Sequence, residues 1–218
     1  MKNLGDAFSF QFKPEGWFGR FLGGTLFVFL SMFIIPIPIL VGYNLQVIKN
    51  VIDKKKDPLP HWTGVGKMWV DGVKFFFATL GYALPIILIV IIMIVMGILA
   101  AVYEDSEMAV ITILLFLLLE LVLMLYSLAM AFIAPILYIK RAQGATAREL
   151  YHLGEIWSFI KKNIGNIIVV LLLGWASGLI VNFGMLFFFI GLFPAAFYAM
   201  TIIGHLYGQL ALEDKAKK

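Results

Sequence analysis

Cysteine is absent from the 218-residue chain, which excludes disulfides, thiolate metal centres and a cysteine nucleophile. Histidine is nearly absent too. His61, His152 and His205 lie far apart and none belongs to an HExxH or similar pair, so no metal site is expected from local sequence. GxGxxG, GxSxG and phosphate-loop patterns are missing, and no nucleophile can be paired with a base. The expectation is a non-enzyme with no catalytic, cofactor-binding or metal residues. Linkers and low-complexity tracts are also lacking, so residues 1–218 read as a single integral membrane domain. Lys2 is followed by Asp6 and Glu15 before the apolar run begins near Phe21, and no small-residue cleavage site follows, so no cleaved signal peptide is expected.

Charge is the scarcest common commodity. Only 14% of residues are charged against 62% hydrophobic, and the mean hydropathy is +0.97, too apolar for a chain that must cover a soluble core with polar surface. Lipid is the expected solvent and partner. Nucleic acid is not expected as a partner, because the net charge of +4 is explained by where its basic residues fall.

The most prominent apolar stretch is Met108–Ile139, broken only by Glu120, and the rest of the chain reads as arranged around it. Phe21–Ile48 is free of charge for twenty-eight residues, roughly 42 Å of helix against a hydrocarbon core of about 30 Å. Pro36 and Pro38 near its centre allow either one kinked, tilted span or a hairpin of two short helices. The seventeen Lys and Arg form four clusters: before residue 21, from Lys49 to Lys74, from Lys140 to Lys162, and at the C-terminal end. If all four are cytoplasmic, an even number of crossings separates each pair, which favours the hairpin and places both termini in the cytoplasm. Glu104-Asp105-Ser106-Glu107 reads as a short turn on the opposite side.

Further spans are expected at Phe75–Tyr103, at about Ile164–Phe189 and at Pro194–Leu212, with a turn at Ile190–Pro194. The fold class is therefore all-α, a polytopic transmembrane helical bundle of the cell membrane with about six membrane segments, the first two short. Amphipathic interfacial helices are expected on the cytoplasmic side. One begins at Lys67, with Trp69, Val73, Phe76 and Phe77 on its apolar face. The other covers Glu149–Lys162, opened by a capping box at Thr146-Ala147-Arg148-Glu149, with Leu153, Trp157 and Ile160 turned to the membrane.

Inside the spans polar residues are few. Glu120 lies near mid-membrane, where a carboxylate costs about 2.5 to 3.5 kcal/mol on insertion scales, so it is expected to face the bundle. His205 falls at the same depth by helical rise and is the expected partner of Glu120, as a structural hydrogen bond. Asn182 and Tyr126 complete the intramembrane candidates. Gly174-Trp175-Ala176-Ser177-Gly178 is a GxxxG stretch that permits close helix approach.

Gly42-Tyr43, Leu59-Pro60-His61-Trp62, Asp71-Gly72-Val73-Lys74 and Gly81-Tyr82-Ala83-Leu84-Pro85 follow one another in an order that resembles the uncharacterised membrane family named domain of unknown function 4013. The resemblance covers residues 42–85, with similar hydropathy elsewhere. It implies a multipass membrane protein and brings no activity or site residues. Where His61 stands the family more often carries an acidic residue, so no fixed chemistry is attached to that position. Taken together, the expectation is a non-catalytic membrane component, an accessory subunit or lipid-interacting scaffold with the bilayer and other membrane subunits as partners. The alternative is a small transporter or channel using Glu120 and His205.

Overall fold

The computed structural model describes residues 4–102, 106–187 and 190–217, and all its regular structure is helical. The elements are α1 (Asp6–Ser9), α2 (Trp17–Leu30), α3 (Ile37–Ile52), α4 (Val65–Val102), α5 (Ser106–Ala142), α6 (Leu153–Met185) and α7 (Leu192–Ala216). Single 3-10 turns cover Phe10–Phe12, Ser31–Phe33 and Arg148–Tyr151. Of the expected acidic turn at 104–107, residues 104 and 105 lie outside the described residues and Ser106 already opens α5.

The all-α expectation holds, and of the six expected segments three to four are candidate spans by length and apolarity. Val65–Ala101, Ala109–Ala142 and Leu153–Met185 are long and apolar enough to cross a membrane. A fourth is counted if Asp6–Phe12 and Trp17–Phe33, bent by 104°, form one broken span. Freedom from charge is a weaker criterion than apolarity. α7 carries Tyr198, Thr201, His205, Tyr207 and Gln209, and α3 has only 16 residues, fewer than the ~20 an upright span needs.

Between α2 and α3 the chain reverses. Ile34 takes a left-handed φ of 64°, and Pro36 and Pro38 stand at the start of α3, where a helix loses nothing by the missing N–H. The segment after α3 then returns to the start of α2. The buried Arg20 guanidinium pairs with Asp57 and donates to the Leu59 carbonyl at 2.8 Å, while Trp62 Nε1 donates to the Arg20 carbonyl at 2.7 Å. Of the two readings of Phe21–Ile48, this is the hairpin.

By internal packing the chain forms two compact units, one of residues up to 78 with 135 onward and the other of Thr79–Ala134. The first is centred on α7. Phe197, Ile202, Leu206 and Leu210 are completely buried there. Glycines let the backbones close in: a Cβ on Gly208 would meet Val51 of α3, and one on Gly24 of α2 would meet Phe197. α3 and α4 press closer still, because a Cβ on Gly42 would stand 1.9 Å from the Met68 carbonyl oxygen and one on Gly72 1.9 Å from that of Pro38. Tyr43 stacks on Trp62 at 4.3 Å and donates its hydroxyl to the Pro60 carbonyl. Tyr43 forms the core with Phe10, Val47, Leu59, Met68 and Phe197, and Trp62 packs half-buried against it. Aromatic pairs of this kind add about 0.5 to 1.5 kcal/mol each beyond the area they bury. In the second unit Tyr126 of α5 donates its hydroxyl to the Tyr82 carbonyl of α4 at 2.6 Å.

Two expected interfacial helices are not separate elements. α4 is continuous from Val65 through the apolar run. α6 is likewise unbroken in hydrogen bonding but kinks at Asn163 (φ −118°, ψ 15°), and that kink divides the charged stretch 153–162 from the apolar one. Glu149 accepts from the Thr146 backbone N–H at 2.6 Å, half of the expected capping box, yet it opens a single 3-10 turn and the α-helix starts only at Leu153.

Candidate functional site

The four intramembrane candidates divide between the two units. Glu120 and Tyr126 belong to the second unit, His205 and Asn182 to the first. Glu120 is exposed on α5 and has no hydrogen bond or ion pair among the described residues. Asn182 is exposed and donates to the Gly178 carbonyl one turn back. It lies toward the end of α6 where Gly184 meets Gly191, whereas Gly174, a few turns away, meets Ile203 near the level of His205. The GxxxG stretch does not mediate close approach. A Cβ on Gly174 would touch Ile203 only at 3.9 Å and one on Gly178 nothing.

Within the first unit His205 is held by an aromatic ring and an amide. The residue is 6% exposed, its ring stacks on Phe10 at 4.4 Å, and its Nδ1 shares a hydrogen bond of 3.2 Å with Gln209 Nε2. Around it lies a polar seam that the candidate set missed. Thr201, His205 and Gln209 recur every four residues, one stripe of α7. Thr201 returns its hydroxyl to the Phe197 and Tyr198 carbonyls, a local bond that satisfies it inside an apolar helix. Gln11, completely buried, donates Nε2 to the Tyr198 carbonyl at 3.4 Å, and Tyr198 donates its hydroxyl to the Phe8 carbonyl at 2.8 Å. These bonds hold the N-terminal segment on α7. On the other side Asn44 of α3 sets its Oδ1 against Gly204, where any side chain would collide with it.

Two acceptors of this seam, Gln11 Oε1 and Asn44 Oδ1, are buried without a hydrogen-bond partner. Such an atom forfeits about 1 to 3 kcal/mol of solvation unless a donor reaches it. The seam runs out into a cleft of about 510 Å³ between Asp6, Lys54, Lys55, Pro58 and Glu213, with His205 and Gln209 at its inner wall. Chemically it offers acceptors and an imidazole to a small donor such as water or an amine. It does not offer a metal cage: no group of three metal-ligating side chains occurs among the described residues. The stripe was legible as i, i+4, i+8 on α7. Gln11 and Asn44 were not, because only the tertiary fold brings them to it.

A second polar network lies at the other flank of α7. Asn163, at the kink of α6, donates to Asp214 Oδ1 at 2.8 Å, Lys162 pairs with the same carboxylate at 2.9 Å, and Lys217 reaches Asn163 Oδ1. It ties the C-terminal end of α7 to the bend in α6 and is structural in character.

No curated protein and no solved structure matches the chain. Residues 25–206 match the profile of one family, described as protein of unknown function DUF4013, so the chain belongs to that family.

Proposed function

We propose that the protein is a non-catalytic multipass component of the cell membrane, an accessory subunit that offers its Thr79–Ala134 unit to a partner within the bilayer, both termini being cytoplasmic. The observation that carries this reading is the surface of α4 and α5. In the most apolar window of each, no residue is buried by the chain itself. Within lipid that surface is satisfied by acyl chains, but Glu120 is not. Beside it on the same helix face Ile113, Leu117 and Met124 are all strongly exposed, and a carboxyl there costs about 2.5 to 3.5 kcal/mol. A polar group on a partner helix offsets part of that cost.

Photo-crosslinking residues placed at 113, 117 and 124 in native membranes test the reading. One discrete protein adduct is expected, lost with Glu120→Leu and absent when the same probe replaces Trp175 on α6. Adducts to lipid alone would instead favour a lipid-interacting scaffold.

A small transporter is the second reading, favoured by the unpartnered Gln11 and Asn44 acceptors beside His205. It would require the seam to open to both sides of the membrane. Cysteines placed at 44 and 201 report this: labelling by a water-soluble reagent from both sides supports transport, and protection from both removes it.

A further inference from the structure

At the end of the first unit that carries the loop after α3, a cleft of about 630 Å³ is lined by Lys49, Lys55, Lys67 and Arg141, with Asp71 as its only carboxylate. Some basic side chains elsewhere in this chain are in ion pairs. Lys13 pairs with Asp6, Arg20 with Asp57, Lys140 with Glu155 and Lys162 with Asp214. None of the four cations of the cleft is in an ion pair among the described residues. Helix polarity accounts for two of them, since Lys49 and Arg141 stand in the last turns of α3 and α5, where carbonyls attract cations. It does not account for Lys67, which stands in the first turn of α4, the end at which a cation opposes the dipole. Arg141 spends one Nη1 proton on the Ala145 carbonyl at 2.9 Å and keeps the rest of its planar fork for a second acceptor. Thr63 adds a hydroxyl to the same wall.

A cluster of cations with one acid among them is complementary to a phosphate. Its source is indicated by the surface beside it. Further along α4, Val70, Phe76 and Phe77 are exposed, apolar surface on the same helix for the acyl chains that a headgroup brings with it and a soluble phosphate does not. Basic pockets of this kind on the cytoplasmic side of a helical bundle are suited to anionic headgroups.

We propose that the cleft seats the phosphate of an anionic phospholipid, held by Lys49, Lys55, Lys67 and Arg141, with its acyl chains along the outer face of α4. The inference rests on the chain lying in a bilayer, which carbonate extraction of the membranes checks separately. Its own test is native mass spectrometry of the full-length protein in neutral detergent with equal amounts of phosphatidylglycerol and phosphatidylcholine of matched chains. One phosphatidylglycerol should be retained in at least tenfold preference, since each nearby Lys or Arg contributes about fivefold to the attraction. Lys49→Gln with Lys67→Gln and Arg141→Gln should abolish the preference. Lys56→Gln with Lys161→Gln and Lys215→Gln, an equal change of charge elsewhere, should keep it. Because Arg141 also caps its helix, the Lys49→Gln and Lys67→Gln pair alone should still lower the preference severalfold while leaving the melting temperature unchanged. Equal retention of the two lipids, equal losses in both triple variants, or full displacement by excess inorganic phosphate would each overturn the proposal.

Discussion

Gly42 and Gly72 do what the GxxxG stretch at 174–178 was expected to do, and the contrast shows what a motif leaves out. Small residues permit close approach only on the face that another helix meets, and that face is decided by tertiary packing. A methyl group at Gly42 would run into the Met68 carbonyl at 1.9 Å, backbone against which nothing can rotate away, whereas one at Gly174 would make an ordinary contact at 3.9 Å. Gly42→Ala should therefore destabilise by about 1 to 3 kcal/mol, read as a lowered melting temperature in detergent, and Gly174→Ala should leave it unchanged. A second residue-scale effect depends on pH. The Thr146 backbone N–H, and after it the Thr146 hydroxyl, hold the Glu149 carboxyl below its usual value. A group with a depressed folded value contributes stability that is complete above the ordinary carboxylate range and vanishes as pH falls through the lowered value. The hydrogen-exchange protection factor of the Thr146 amide should accordingly be flat at neutral pH and fall in acid, and Glu149→Gln should lower it at neutral pH and remove the pH dependence.

Among the elements, α6 was read well in its division and only in part in its faces. Its division into a charged half and an apolar half was legible from charge alone, and the kink falls at Asn163, one residue before the expected start of the span. The orientation was legible except at Ile160. Of Leu153, Trp157 and Ile160, only Ile160 is buried, and it lines up with Leu150, Ile156 and Ile167 as the face toward the protein. Leu153 and Trp157 are exposed, with the Lys161 ammonium 5.1 Å from the Trp157 ring. A helix with apolar residues on two faces has one for the core and one for the lipid, and periodicity cannot tell which is which. Spin labels at 157 and 164 should be readily relaxed by dissolved oxygen and those at 156 and 160 should not. Equal access at all four positions would reject this assignment of faces.

For the whole molecule, the four basic clusters remain the strongest statement about orientation. Cysteines introduced at 55 and 148 should be labelled only after the membrane is permeabilised, and one at 192 in intact cells. The native chain contributes no background, having no cysteine of its own. What composition obscured was the hierarchy. The long apolar helices α4 and α5 dominate the hydropathy and are largely exposed, while α7, too polar to pass as a span, is the helix around which the first unit packs. A segment buried by protein on several sides can carry Thr, His and Gln because its neighbours, not lipid, satisfy them. That centre is also late in coming. α2 and α3 leave the ribosome more than a hundred residues before α7 does, so the hairpin is inserted with Tyr43 and Trp62 lacking Phe197 and with Asn44 lacking the Gly204 surface it will rest against. The unit is thus closed only by the last helix to be made, and a chain halted at residue 191 would carry an open groove and a bare amide into the bilayer, the kind of defect by which membrane quality control distinguishes an unfinished chain from a completed one.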